Sequence, residues 1–182
     1  MAHLMELLLL FVIFMVSATF DSFWDQLMKD SKQDKHSEQE YFIVQQSSCS
    51  LQCPSGWVTY GKRCIKYVNE AMAWASAENH CLNMSANLIS IHNENDYQMV
   101  KALIRAHDSK ENPTWIGLSD CQEQKMWIWS DGSKFNYTKW NPDEPNFSKG
   151  ECCVHINFGE TKDWNDIPCT LKHPFVCVKK LA

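Results

Sequence analysis

The chain has little that would hold it in a membrane. Its one long apolar run, Leu7 to Val16, falls well short of the roughly 18–20 residues a spanning helix needs. Lying at the N-terminus and followed by Val16-Ser17-Ala18, it reads as a secretory signal cut after Ala18. That leader is atypical, with His3 and Glu6 but no Lys or Arg before the run; an uncleaved anchor or a buried helix is the alternative. Positive charge is also scarce. A net charge of −5 argues against nucleic acid or an anionic membrane as partner. No GxSxG, no HExxH and no nucleophile beside a base in a motif occurs, which argues against an enzyme. The seven histidines, among them His80, His92 and His155, are scattered and read as packing or surface residues. Finally, there is no cysteine before Cys49.

What is present follows from that last point. Nine cysteines in a secreted, extracellular chain imply a disulfide framework rather than a metal or redox site. Residues 19–48 form a polar stem or propeptide. Their middle, Lys29 to Glu40, has no apolar residue and cannot bury enough surface to fold alone. Phe23, Trp24, Leu27 and Met28 have helical spacing, so an oligomerising stub is the sharper alternative to a flexible linker. Residues 49–182 are long enough for one domain with a core of its own.

From Cys53 the pattern becomes regular. "CPSGWVTYGKRCIKYV" reads as a hairpin that Cys53 and Cys64 can clip. "NEAMAWASAENHCLNM" puts Ala71, Trp74, Ala75, Glu78, Cys81 and Leu82 on one helix face, with Asn69 as a cap. After a short strand in "ANLISI", a second helix is capped near Asn93, with Tyr97, Val100, Leu103 and Ile104 inward. Short apolar runs between turns follow: "NPTWIGL", "KMWIWSDGS", "ECCVHINFG", "DWNDIPC" and "PFVCVKK". This order predicts an α+β fold, two helices flanking short antiparallel sheets.

"WIGL", the "WIW-SDG" segment, "EPN", "WNDIPC" and the terminal "FVCV", taken in order from Cys53 to Val178, resemble a C-type lectin domain of the long form. Small secreted lectins of fish and the type II antifreeze proteins on the same scaffold are similar. The resemblance implies a C-type lectin-like fold with a long calcium-binding loop and disulfides Cys53–Cys64, Cys81–Cys177 and Cys153–Cys169. Cys121 and Cys152 stand where many members keep ligands of an auxiliary calcium. Positions that share an ion are close enough to share a disulfide, so Cys121–Cys152 is inferred, leaving one calcium ion rather than two or three. Cys49 then has no partner. A capped thiol, a swap with Cys53 or an interchain bridge in a disulfide-linked homodimer would each account for it.

In the family, calcium ligands occupy the positions of Glu144, Asn146, Glu151, Asn165 and Asp166. All five carry a side-chain oxygen, as a hard cation requires, and the same five are the expected sugar-binding residues. Pro145 is typically cis in this motif, Trp164 is expected to anchor the strand presenting Asn165 and Asp166, and Phe147 either touches the sugar or caps the loop. The order Glu-Pro-Asn resembles mannose-type sites, which accept mannose, N-acetylglucosamine and fucose, implying glycans of microbial or host glycoconjugates as partners and a role in innate defence. The rival reading is an ice-binding protein of type II antifreeze kind, which the charges of Glu144, Lys149 and Glu151 oppose. Three sequons occur, at Asn83, Asn136 and Asn146. Asn146 cannot be both glycosylated and a ligand, and is expected to be empty.

Overall fold

The computed structural model describes residues 52–181, together with Gln26 and Lys29, which are helical and exposed. The expected signal segment, the rest of the stem with its proposed helix, and Cys49 lie outside the described residues.

The first hairpin forms where the turn residues place it. Strand β1 (Val58–Tyr60) pairs antiparallel with β2 (Arg63–Met72) around Gly61, whose positive φ of 57° suits a residue without Cβ. β2 runs further than its sequence suggests. Residues Asn69–Met72 extend the strand instead of opening a helix, because β2 pairs with the last strand as far as Met72↔His173, past a bulge. Asn69 is therefore not a cap. Helix α1 (Trp74–Asn83) starts after Ala73, with no side-chain cap, and its first N–H donates to Cys169 O at 3.0 Å. The late start turns the buried face toward Ala77 and Cys81. Ala71 lies in β2, while Ala75 and Leu82 are exposed.

Helix α2 (Glu94–His107) begins where expected, with Asn93 Oδ1 accepting from Asp96 N at 2.9 Å. Tyr97, Val100, Leu103 and Ile104 are all buried. The remaining strands are β3 (Asn87–Leu88), β4 (Thr114–Ser119), β5 (Ile128–Trp129), β6 (Glu151–Phe158), β7 (Asp163–Pro168) and β8 (His173–Lys180). All eight join one sheet, with the path β1-β2-β8-β4-β6-β7 and with β3 on β8 and β5 on β4. The pairing is antiparallel except between β4 and β8, which run parallel through Trp115↔Phe175. The expected α+β fold of two helices on short, mainly antiparallel strands is thus present, with one parallel pair making the sheet mixed.

Every residue of β4 is buried, as a strand covered on both faces requires. Alternation along the strands sorts the core into two layers. Ile116, Leu118, Val154, Ile156 and Val176 pack with α2, and Trp115, Leu88, Phe175 and Cys177 pack with α1. The bridges are Cys53–Cys64, Cys81–Cys177, Cys121–Cys152 and Cys153–Cys169, as expected. Cys81–Cys177 spans 96 residues; in chain-entropy terms, closing such a loop contributes about 4–5 kcal/mol.

Candidate functional site

Between β5 and β6 the chain runs from Ser130 to Gly150 with no strand of its own, yet it is anchored. Trp140 bridges to Trp164 in β7; Asn141 N donates to Trp164 O and Trp164 N to Lys139 O, both at 2.9 Å. The fully buried Trp164 indole meets Trp129, Tyr137 and Trp140 edge-on, with centroids 5.6–5.9 Å apart. The loop is therefore fixed to the strand that carries Asn165 and Asp166.

The loop tip is built on Asp166. Asp166 is completely buried and accepts the successive backbone N–H groups of Asn146 and Phe147, each at 3.1 Å. Two consecutive amides can converge on one carboxylate because Phe147 takes φ of +54°, an anion-holding backbone arrangement. The Glu144–Pro145 peptide is cis. Across it, Glu144 accepts from Asn146 N at 3.0 Å and from Asn146 Nδ2 at 3.2 Å, and Asn146 Oδ1 accepts from Ser148 N at 2.8 Å.

Glu144, Asn146 and Asp166 thus meet in one hydrogen-bonded unit. Burial, then the hydrogen bond and like charge of Asp166, push the Glu144 carboxyl above its ordinary value.

Glu151 and Asn165 make no hydrogen bond to this trio. Glu151 opens β6, its N–H donating to Ser148 O at 3.0 Å. Asn165 sits opposite His155 in the β6–β7 ladder. Glu151 Oε2 and Asn165 Oδ1 are both buried and without a hydrogen-bond partner. An unpaired buried acceptor costs about 1–3 kcal/mol. A donor set made only of carboxylate and amide oxygens, with two oxygens unpaired and two carboxyls in mutual contact, fits a hard divalent cation. The carboxylates do not gather tightly by themselves. Among the described residues the cluster of metal-ligating atoms within 4.8 Å is Cys121, Cys152, Cys153 and Cys169. Those sulfurs are two disulfides lying side by side, which fix the start of β6 behind Glu151.

The lectin C-type domain profile matches residues 70–179. The chain is 43% identical over 139 residues to the lactose-binding lectin l-2 of Anguilla japonica, covering 74% of this chain and 82% of that one. Among solved structures, the herring type II antifreeze protein superposes with a TM-score of 0.68 at 36% identity, covering 71% of this chain and all of that one. A calcium-independent type II antifreeze protein gives 0.67 at 33% identity, covering 72% and 97%. The chain belongs to the C-type lectin family. Proteins of this family are non-enzymatic carbohydrate binders and commonly hold Ca2+, although the last structure shows that the fold can dispense with it.

Within this lectin domain, two sets of contacts escaped the sequence, although the residues themselves did not. Phe147 packs 6.3 Å from Trp127, under the Lys125 ammonium at 5.2 Å, so its ring caps the loop while part of it stays exposed. Trp127 belongs to "WIW", which reads only as a strand; nothing local places it beside residue 147. His155 makes the second. It is 3% exposed, and burial, helped by His173, pushes its pKa down to about 3. It is a packing residue, as expected, but one that also touches a candidate ligand: its Nε2 lies 3.1 Å from Asn165 Nδ2.

Proposed function

We propose that the chain is a secreted, calcium-dependent lectin that binds mannose-type glycans, with residues 1–18 as signal peptide, 19–48 as stem or propeptide and 49–182 as lectin domain. The observation that carries this is the Glu144-Pro145-Asn146 tip seated on buried Asp166. Glu144, Asn146, Glu151, Asn165 and Asp166 would hold one Ca2+, the auxiliary position being taken by the Cys121–Cys152 bridge. When bound, the ion offers coordination to two neighbouring sugar hydroxyls. Around it, Glu144 accepts a hydroxyl proton and Asn146 Nδ2–H donates to a hydroxyl oxygen, an acceptor–donor order that suits a mannose-type diol. No helix among the described residues is long and apolar enough to cross a membrane, which fits the secreted reading. The odd cysteine, Cys49, would link two chains.

The test is retention on immobilised mannose with calcium, at an affinity for the ion on the order of 0.1–1 mM, and release by EDTA. Binding that EDTA leaves undiminished overturns the reading. Competition by galactose in place of mannose would move the specificity toward that of the lactose-binding relative. The herring antifreeze likeness supports ice binding as a second reading. Exposed Asp143 and Lys149 on the loop oppose it, and a thermal-hysteresis measurement separates the two.

A further inference from the structure

We infer that His155 is a positioning residue that turns Asn165 into an oxygen donor; the inference rests on the calcium reading above. An asparagine amide has a donor end and an acceptor end, and a buried one exposes to a site whichever end its neighbour leaves free. Here the neighbour is a histidine. His155 and Asn165 face each other across the β6–β7 ladder, 3% and 5% exposed. His155 Nε2 lies 3.1 Å from Asn165 Nδ2, while Asn165 Oδ1 is buried with no partner.

A neutral imidazole whose Nε2 carries no proton accepts from Nδ2–H and leaves Oδ1 free for a cation. The other tautomer, protonated on Nε2, would draw the amide oxygen to itself. It would turn the Nδ2 hydrogens toward the site, where they are useless to a metal. In either tautomer His155 Nδ1 stays buried without a hydrogen-bond partner, so the contact with Asn165 is what separates the two. One proton on one ring nitrogen therefore decides whether residue 165 can be a ligand.

The ring has little freedom to evade this choice. It stacks on His173 at 5.5 Å and 8°, and meets Trp115 at 6.2 Å and Phe158 at 5.7 Å edge-on. Trp115 is itself fixed, its Nε1 donating to Met72 O at 2.8 Å. Groups that orient metal ligands in this way typically alter metal affinity by about 10–100-fold when removed.

Two measurements test this on the full disulfide-bonded chain. Long-range proton–nitrogen NMR of 15N-histidine protein, with the His155→Gln spectrum assigning the ring, should show Nδ1 protonated and Nε2 bare. Calcium titration by calorimetry should show His155→Phe weakened by about 10–100-fold. His155→Gln, whose side-chain carbonyl keeps an acceptor near the Nε2 position, should recover most of the loss. His173→Phe, which keeps an aromatic ring stacked on His155 and removes no hydrogen bond to Asn165, should bind like the parent. An Nε2-protonated ring, or a folded His155→Phe that takes calcium as the parent does, overturns the inference alone. A parent that takes no calcium overturns the calcium reading together with it. If His155→Phe fails to fold, the tautomer and the Gln variant decide.

Discussion

Glu144 presents only acceptors while Asn146 also presents an N–H donor, and that difference is where sugar selection is expected to reside. Exchanging them, as Glu144→Gln with Asn146→Asp, keeps ligand charge and oxygen count. Calcium affinity should therefore move by less than about tenfold, roughly 1.4 kcal/mol. The hydrogen-bond directions reverse, and each mismatched polar group costs about 1–3 kcal/mol. Mannose retention should collapse while galactose gains weakly, as inhibition of binding to mannan would show. A double variant that keeps calcium and still prefers mannose would remove these two residues from sugar selection. A second residue-scale prediction concerns Glu111, remote from the site. Hydrogen bonds from Arg105 and then Lys101 hold its carboxyl down at about 2, against an ordinary 4.5. Lys101 is nearly buried and also reaches Asn157 Oδ1. A depressed carboxyl stabilises the fold above its ordinary value and loses that contribution as pH falls from about 4.5 through 2. Glu111→Gln should cost about 1–2 kcal/mol at neutral pH, since its Arg105 side is open to solvent. The gap from the parent should close near pH 2, read from denaturant midpoints.

Among the elements, β4 sets the tightest requirement. A Cβ on Gly117 would stand 2.6 Å from Leu88 O and 2.8 Å from Ser130 Oγ. The carbonyl is backbone and cannot rotate away, so Gly117→Ala should destabilise by roughly 1–3 kcal/mol, seen as a lower urea midpoint with calcium affinity little changed. Elements of this kind were legible when their signal was local. Asn93 before a strongly periodic helix, and the all-apolar core of "TWIGL", needed no tertiary information. The α1 boundary was not legible, because "NEAM" is helix-prone in isolation and becomes strand only when β8 lies beside it. The single parallel pairing of β4 with β8 likewise depends on the whole topology. At the site, the candidate ligand residue types were visible in order, but their grouping was not. That Asp166 receives the loop's amides while Asn165 faces His155 follows from strand alternation and register, which no single motif contains.

At the scale of the molecule, eight of nine cysteines are used up in four bridges, and the ninth, Cys49, falls outside the described residues, three positions before Gln52. This bears on how a weak site could be useful. An isolated calcium–sugar site of the kind proposed binds weakly, and linking two copies converts the second contact on a glycan-rich surface into an intramolecular one. The gain in avidity can reach about 10²–10⁴ when the span fits the linker. A covalent dimer through Cys49 should therefore migrate at twice the chain mass in non-reducing electrophoresis and at the chain mass after reduction. Cys49→Ser should give monomer under both conditions. Its four internal bridges are untouched, so calcium titration and inhibition by free mannose should match the parent. Retention on a densely mannosylated surface should nevertheless fall at least tenfold, because only the multivalent term has been removed. A parent that already runs as monomer before reduction excludes the covalent dimer. A Cys49→Ser monomer that holds the dense surface as tightly as the parent would show that each domain alone supplies the binding.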